Sequence, residues 1–211
     1  MYFLHRSPRS RSAARRALRA LSRFSAIGRK KASRGAAPAP APAPTAARTL
    51  IFLDIDGVLA PFGGHDPPPR PEIKEIFATF APACVARLAA LVAASGAEIV
   101  LSSSWRASPA AVRAISERFE AYGPPLSAAV AAMTDPKRHE PRQWEIFRWL
   151  EKHRLVDASW VALDDEDLVE GAENRRNRDL FAEKSVLIAS DIGFDDDDLA
   201  RALAILGYEP G

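Results

Sequence analysis

Residues 50–59 read Leu-Ile-Phe-Leu-Asp-Ile-Asp-Gly-Val-Leu, so four apolar residues lead directly into two acids and a glycine. An apolar run of this length that stops at a turn is typical of a buried strand in a parallel sheet. Asp54 and Asp56 are two residues apart, so on an extended backbone their side chains leave the same face. Two carboxylates placed this way repel each other unless a cation lies between them, and hard oxygen ligands suit Mg²⁺. Gly57 favours a turn that a Cβ would resist.

The composition excludes several kinds of site. The chain has 211 residues, of which 47% are apolar, enough for one domain of ordinary size and an extension. Cys84 is the only cysteine, which excludes a disulfide framework and the Cys₄ and Cys₂His₂ zinc sites. The sequence contains no run of 18 apolar residues, so we expect no membrane span.

Charge is divided unevenly along the chain. Residues 1–49 hold 12 Arg and Lys residues and no acid, which leaves 17 basic residues against 27 acidic ones in the remainder. We expect residues 1–35 to form a basic disordered arm or a targeting segment, residues 36–48 an Ala/Pro linker, and residues 49–211 the folded domain.

Several interpretations of the arm remain open. It fits an organelle transit peptide, because it is rich in Arg and Ser and has no acid. It also fits a disordered segment that contacts nucleic acid or anionic lipid, a disordered tail with no fixed partner, or upstream sequence from a misplaced start codon. We expect the protein in the cytoplasm, or in a mitochondrial-type organelle if the arm is a eukaryotic transit peptide.

Apolar runs and helical spacing alternate after residue 49. They predict strands at 50–53, 97–101, 128–133, 160–163 and 186–189, and helices at 82–95, 109–122, 142–154 and 195–206. Residues 170–183 are charged and predict a loop or a short helix. The pattern predicts an α/β fold with a doubly wound, mostly parallel sheet. Because residues 61–71 are a Pro-rich loop, we expect no large cap domain after the first strand.

Polar residues follow strand after strand, and three of these strand ends resemble motifs of the haloacid-dehalogenase-like (HAD) phosphohydrolases over residues 50–207. Residues 54–59 match the family's first motif, Asp-x-Asp-Gly-x-Leu. An apolar strand closing in Ser102 matches the second motif, and one closing in Asp164-Asp165 matches the fourth. The resemblance implies a HAD-like Rossmannoid fold and a hydrolase domain at residues 49–211.

The resemblance extends to one particular branch of the superfamily. The segments 101–106, 142–150, 160–165 and 190–194 are similar to the capless branch named for the HAD domain of Swiss Army Knife RNA repair proteins. Without a large cap the site is expected to be open, and an open site admits phosphate on a bulky carrier.

The resemblance implies a role for each strand-end residue. Asp54 is expected to attack phosphorus and form an aspartyl-phosphate, and Asp56 to protonate the leaving oxygen and then activate water. One Mg²⁺ is expected to bind the Asp54 carboxylate, the Asp56 backbone carbonyl and Asp164 or Asp165. Ser102 is expected to hydrogen-bond a phosphoryl oxygen.

The cation that stabilises the phosphoryl charge has two candidates. Arg142 fits the narrower branch, whereas Lys137 fits the general family. Arg106 is expected either to bind a second phosphate or to cap a helix. Trp105 is expected in the core rather than as a platform for stacking a base.

These observations favour a Mg²⁺-dependent phosphatase acting on an accessible phosphate of a nucleotide, a nucleic-acid end or another bulky carrier. One alternative is a catalytically weak binding protein with the same fold. Another is a protein tethered to nucleic acid or membrane through its basic arm. The acidic body argues against tight duplex binding by the domain itself.

Overall fold

The computed structural model describes residues 48–63, 80–135, 140–172 and 175–208. The basic arm, most of the linker and Lys137 lie outside the described residues. So do residues 64–79, which include most of the Pro-rich loop predicted at 61–71.

The described residues form one sheet with helices on both faces. The strands are β1 Thr49–Leu53, β2 Glu98–Leu101, β3 Val130–Met133, β4 Ser159–Asp164 and β5 Ser185–Leu187. The helices are α1 Pro82–Ser95, α2 Pro109–Ala121, α3 Pro124–Ser127, α4 Arg142–His153, α5 Arg175–Lys184 and α6 Asp196–Leu206, with a 3₁₀ turn at Ser104–Ala107. The strand order is β3-β2-β1-β4-β5 and every pairing is parallel, which confirms the predicted α/β fold.

The central strand β1 is buried on both faces, which explains its unbroken apolar run. Ile51 and Leu53 face a core shared with α1, α2 and α6. Leu50 and Phe52 face a second core under α4 and α5. Phe52 packs edge-on against Trp149, with their ring centroids 5.6 Å apart. The two cores fix the level at which β1 ends, and therefore where Asp54 lies.

Local signals place most helix ends. Gly96 ends α1 in the left-handed conformation with φ of 63°. The Ser108 hydroxyl accepts a hydrogen bond from the Ala111 N–H at the start of α2, and Asp195 forms a capping box with Asp198 at the start of α6.

Strands β3 and β5 differ from the predicted bounds 128–133 and 186–189, and two helices add to the sequence interpretation. Pro124 does follow the end of α2, but it also begins the short helix α3, because proline is well tolerated in a first helical turn. The charged stretch 170–183 contributes a ten-residue helix, α5, anchored in the core by Phe181. Within the described ranges, no helix is long and apolar enough to cross a membrane.

Candidate active site

Four polar residues stand side by side at the carboxyl edge of the sheet. The backbone N–H groups of Asp54, Ser102 and Thr134 each donate to a carbonyl near the end of the neighbouring strand, all at 3.0 Å. These bonds extend the parallel ladder beyond the strands, so Asp164, Asp54, Ser102 and Thr134 lie in register. By the alternation of strand side chains, all four face α4, as Phe52 does. We call these four buried residues the polar row.

Three carboxylates converge at one end of the polar row. Asp54, Asp164 and Asp165 each offer an oxygen within 4.8 Å of the others. One oxygen of Asp164, Oδ1, accepts a hydrogen bond from the Glu166 N–H at 3.0 Å, whereas the other, Oδ2, is buried and has no hydrogen-bond partner within the ranges that the structure describes. The sequence left Asp164 and Asp165 open as metal ligands, and the structure brings both beside Asp54.

Burial and mutual repulsion act on these acids. Burial, followed by the charge of Asp54, raises the pKa of Asp164 well above its ordinary value and that of Asp165 to about 6. A bound divalent cation would relieve both effects, and carboxylate oxygens are the ligands that Mg²⁺ prefers. The three carboxylates, with one Asp164 oxygen that accepts no hydrogen bond from the described residues, therefore fit a Mg²⁺ ion.

Gly57 makes room for this cluster. Its backbone has φ of 69°, and a Cβ at this position would overlap the Asp165 carboxyl group. The glycine of the first motif thus permits both the turn after β1 and the close approach of the β4 loop.

Arg142, the first residue of α4, spans two of the three acids. Its Nη2 atom donates to Asp54 Oδ2 at 3.0 Å, and its Nη1 atom lies 3.4 Å from Asp164 Oδ2. Burial lowers the pKa of Arg142, but the carboxylates of Asp54 and Asp164 outweigh that effect and the net shift is upward. The guanidinium therefore stays charged beside Asp54.

Asp56 lies apart from the three-acid cluster and is held by an indole. Trp105 Nε1–H donates to Asp56 Oδ2 at 2.8 Å. Burial raises the pKa of Asp56, the Trp105 hydrogen bond opposes that effect, and the charge of Asp54 adds to it. The Asp56 contact predicted for the metal was its backbone carbonyl, and that contact stays a prediction.

Arg106 is bound inside the protein. Its guanidinium forms an ion pair with Glu145 of α4, and both side chains are 7% exposed. Its Nη1 atom also donates to the carbonyls of Ser102 and Ser103, each at 2.6 Å. This geometry ties the loop after β2 to α4 and gives no support to the predicted phosphate contact of Arg106.

Sequence reasoning missed three residues at the site. Trp105 was assigned to the core, and it does pack there, but its indole N–H also binds Asp56. Glu145 has only a weak signal, an acid one helical turn after Arg142. Thr134 follows the same rule that identified Asp54 and Ser102, a polar residue directly after a strand, and was overlooked.

A comparison with protein-family models supplies the family. Residues 50–199 match the HAD domain in Swiss Army Knife RNA repair proteins. The chain belongs to this family. A search of the curated proteins and a search of the solved structures found no match.

The match confirms the resemblance drawn from the strand-end motifs. Family membership places the chain among the HAD-type phosphohydrolases in general. The polar row and the three-acid cluster lie at the strand ends that carry those motifs.

Proposed function

We propose that the protein is a Mg²⁺-dependent phosphatase that acts through an aspartyl-phosphate on Asp54. The observation that carries the proposal is the convergence of Asp54 with Asp164, Asp165 and Arg142 at the carboxyl edge of the sheet. This edge is where open α/β sheets bind their ligands. Hydrolysis of a phosphate monoester is the chemistry that this set of groups supports best.

Asp54, Asp164 and Asp165 are the side chains that would hold Mg²⁺. When bound, the ion would neutralise charge between carboxylate and phosphate and help to orient the attack. Asp54 Oδ1 accepts a hydrogen bond from the Ile55 N–H at 2.7 Å, which restrains the carboxylate in one orientation. A restrained nucleophile needs less reorganisation to reach the phosphorus.

The reaction has two steps, in which the bond between Asp54 and phosphorus first forms and then breaks. A carboxylate oxygen of Asp54 attacks phosphorus, the bond to the leaving oxygen breaks, and the Asp56 carboxyl group gives that oxygen its proton. The Asp56 carboxylate then takes a proton from the water that attacks phosphorus, and the bond to Asp54 breaks. The raised pKa of Asp56 suits a group that must carry a proton in the first half.

Arg142 and Ser102 are the groups that we assign to the phosphoryl oxygens. Arg142 already contacts Asp54, so its guanidinium lies where negative charge develops during the attack. The Ser102 hydroxyl is buried beside Asp54 in the polar row and has no hydrogen-bond partner among the described residues. It is therefore available to donate to a phosphoryl oxygen.

The substrate that we propose carries its phosphate on a bulky group such as a nucleotide or a nucleic-acid end. The family is described as a domain of RNA repair proteins, and this description supports a substrate related to nucleic acid. The acidic composition of residues 50–211 weakens attraction to a long polyanion. The basic arm, residues 1–35, carries charge of the opposite sign, and we propose it as the contact for a nucleic acid if one is bound.

The test replaces the nucleophile. We expect Asp54→Asn to abolish hydrolysis of an aryl phosphate, with a loss of about 10⁴-fold or more, because the amide cannot form the covalent intermediate. Removal of Mg²⁺ with EDTA should abolish wild-type activity, and added Mg²⁺ should restore it. The matched control is Asp197→Asn, which removes an exposed acid in the first turn of α6 and should keep full activity.

A binding protein of the same fold is the competing function. It would bind Mg²⁺ at the three acids but show no turnover by the wild type against a panel of phosphorylated metabolites, nucleotides and nucleic-acid ends. That result, with metal binding lost in Asp164→Asn, would replace the phosphatase by the binding protein.

A further inference from the structure

A cavity of about 640 Å³ lies between the end of β3 and helix α4. Met133, Thr134 and Asp135 line it on the β3 side. One face of α4 lines the other side, at the helical spacing of residues 145, 148, 149 and 152. We call this cavity the α4 groove. Its volume is that of a typical small-molecule site.

The α4 groove begins where the polar row ends. Thr134 is in register with Ser102, which is in register with Asp54, so Thr134 lies two strands, or about 10 Å, from the nucleophile. Glu145 in the wall is bound to Arg106 and lies one helical turn after Arg142. A carrier group that extends along the polar row from a phosphate beside Asp54 would therefore reach the groove.

Thr134 is the observation that points to a ligand. Its side chain is fully buried, and its Oγ1 atom has no hydrogen-bond partner in the part of the chain that the structure describes. Buried hydroxyls are almost always paired, so an unpaired one in the wall of a cavity indicates a group that arrives from outside.

The polar groups of the groove wall indicate the kind of carrier. Among the described residues, four acids, two permanent cations and His153 line it. One of the acids, Glu140, pairs with Arg148 at 3.1 Å, and Glu145 pairs with Arg106. The hydrogen-bonding groups of this wall and the edge of Trp149 suit an uncharged, hydroxyl-bearing group.

We propose that the α4 groove binds the carrier group of the substrate, an uncharged hydroxyl-bearing group of the size of a sugar or nucleoside, and that Thr134 is the residue that orients it. This inference rests on the proposed function and narrows its substrate class to small phosphate monoesters. The hydroxyl of Thr134 forms a hydrogen bond with the carrier, next to the phosphate bound at Ser102.

Two tryptophans report separately on the two halves of the site. Trp105 is hydrogen-bonded to Asp56, and Trp149 lines the α4 groove. The experiment titrates the full-length Asp54→Asn variant, in Mg²⁺, with ribose 5-phosphate and with inorganic phosphate, and follows the indole N–H signals by NMR. Variants Trp105→Phe and Trp149→Phe assign the two signals. We expect ribose 5-phosphate to shift both signals and inorganic phosphate to shift Trp105 alone.

Thr134→Val then tests the hydroxyl while keeping a branched side chain of similar volume. We expect the ratio of the ribose 5-phosphate Kd to the inorganic phosphate Kd to rise about fivefold to tenfold, the worth of one hydrogen bond. Thr134→Ser should restore the ratio. A structural role alone would not move this ratio.

Several outcomes would overturn the groove proposal. They are a ribose 5-phosphate titration that leaves Trp149 unmoved, an unchanged Kd ratio in Thr134→Val, and a 5′-phosphorylated oligonucleotide that shifts Trp149 where ribose 5-phosphate does not. Failure of the phosphatase itself is seen elsewhere, as absence of turnover by the wild type. The two failures are therefore distinguishable.

Discussion

The side chains of Arg142 and Arg106 are both buried beside the carboxyl edge of the sheet, yet they contact different kinds of group. Arg142 contacts two acids of the active site, and the net effect of its surroundings raises its pKa. Arg106 contacts Glu145 and backbone carbonyls, and burial outweighs that pairing and lowers its pKa. One arginine faces the acids to which we assign metal binding and nucleophilic attack, and the other faces a buried acid and backbone carbonyls.

The difference in contacts predicts a catalytic role for Arg142 and a structural role for Arg106. The partners of Arg142 are carboxylates that would exchange part of this contact for a metal ion and a phosphate. The contacts of Arg106 are structural, since its ion pair with Glu145 and its hydrogen bonds to the carbonyls after β2 hold the loop of Ser102 against α4. We therefore expect loss of Arg142 to affect turnover first, and loss of Arg106 to affect stability first.

The largest expected effect is on turnover. Arg142→Met should lower kcat for an aryl phosphate by about 10²–10³-fold, because the phosphoryl charge loses its fixed cation. The circular dichroism spectrum should stay that of a folded protein. Arg113→Met, on the exposed face of α2, is the matched control and should retain activity. Activity near wild type in Arg142→Met would transfer the cation role to another residue, with Lys137 the first to be replaced.

The second effect is on the free energy of unfolding. Arg106→Met leaves Glu145 buried and unpaired, which typically costs about 3–5 kcal/mol. The double variant Arg106→Met/Glu145→Met removes both charges and should recover most of that loss. Urea unfolding of the two single variants and the double variant measures this coupling. A double variant as unstable as Arg106→Met would show that the hydrogen bonds to the carbonyls, rather than the ion pair, carry the stability.

The sequence predicts the fold well because the strands carry two signals, an apolar run and a polar motif residue at its end. Residues 50–53 are apolar without interruption, and each of the strands β1, β2 and β4 ends in a polar motif residue. Register follows from the parallel pairing, so the positions of Asp54, Ser102 and Asp164 relative to one another could be inferred. Short elements such as α3 carry too few residues for a periodic signal.

The partner of each buried charge could not be inferred in the same way. Arg106 and Arg142 are both arginines near a motif, and only the packing of α4 on the sheet decides which one faces Asp54. Trp105 shows the same limit, because its apolar ring predicts burial while its N–H finds Asp56. Spacing along the chain gives the face of a side chain, but not its neighbour from another element.

Trp105 offers an intermediate case between catalytic and supporting residues. Trp105→Phe keeps an aromatic ring in the core but removes the hydrogen bond to Asp56, so kcat should fall by about tenfold. Removing that bond also raises the pKa of Asp56 further, because the Trp105 hydrogen bond opposes the rise that burial causes. Asp56 must still carry a proton on the alkaline limb of the profile of kcat against pH. This limb should therefore move to higher pH. A loss of activity with an unmoved profile would assign Trp105 to packing alone.

The smallest expected effect concerns an ion pair far from the site, Arg48 with Glu98 at the start of β1 and β2. Arg48 Nε donates to Glu98 Oε1 at 2.8 Å, but both side chains are more than a third exposed. Arg48→Met should therefore lower the free energy of unfolding by only about 0.2–1 kcal/mol at pH 7.

The pH dependence of this pair has a definite sign. The hydrogen bond from Arg48 lowers the pKa of Glu98 below its ordinary 4.5, so the folded state binds that proton less tightly than the unfolded state. The stabilisation is present above pH 4.5 and is lost as the pH falls through the lowered value. Urea unfolding of wild type and Arg48→Met at pH 7 and at pH 3 should show a smaller difference at the lower pH. A difference that is equally large at pH 3 would mean that the Arg48 stem stabilises by packing, which would place it closer to Arg106 than to an exposed ion pair.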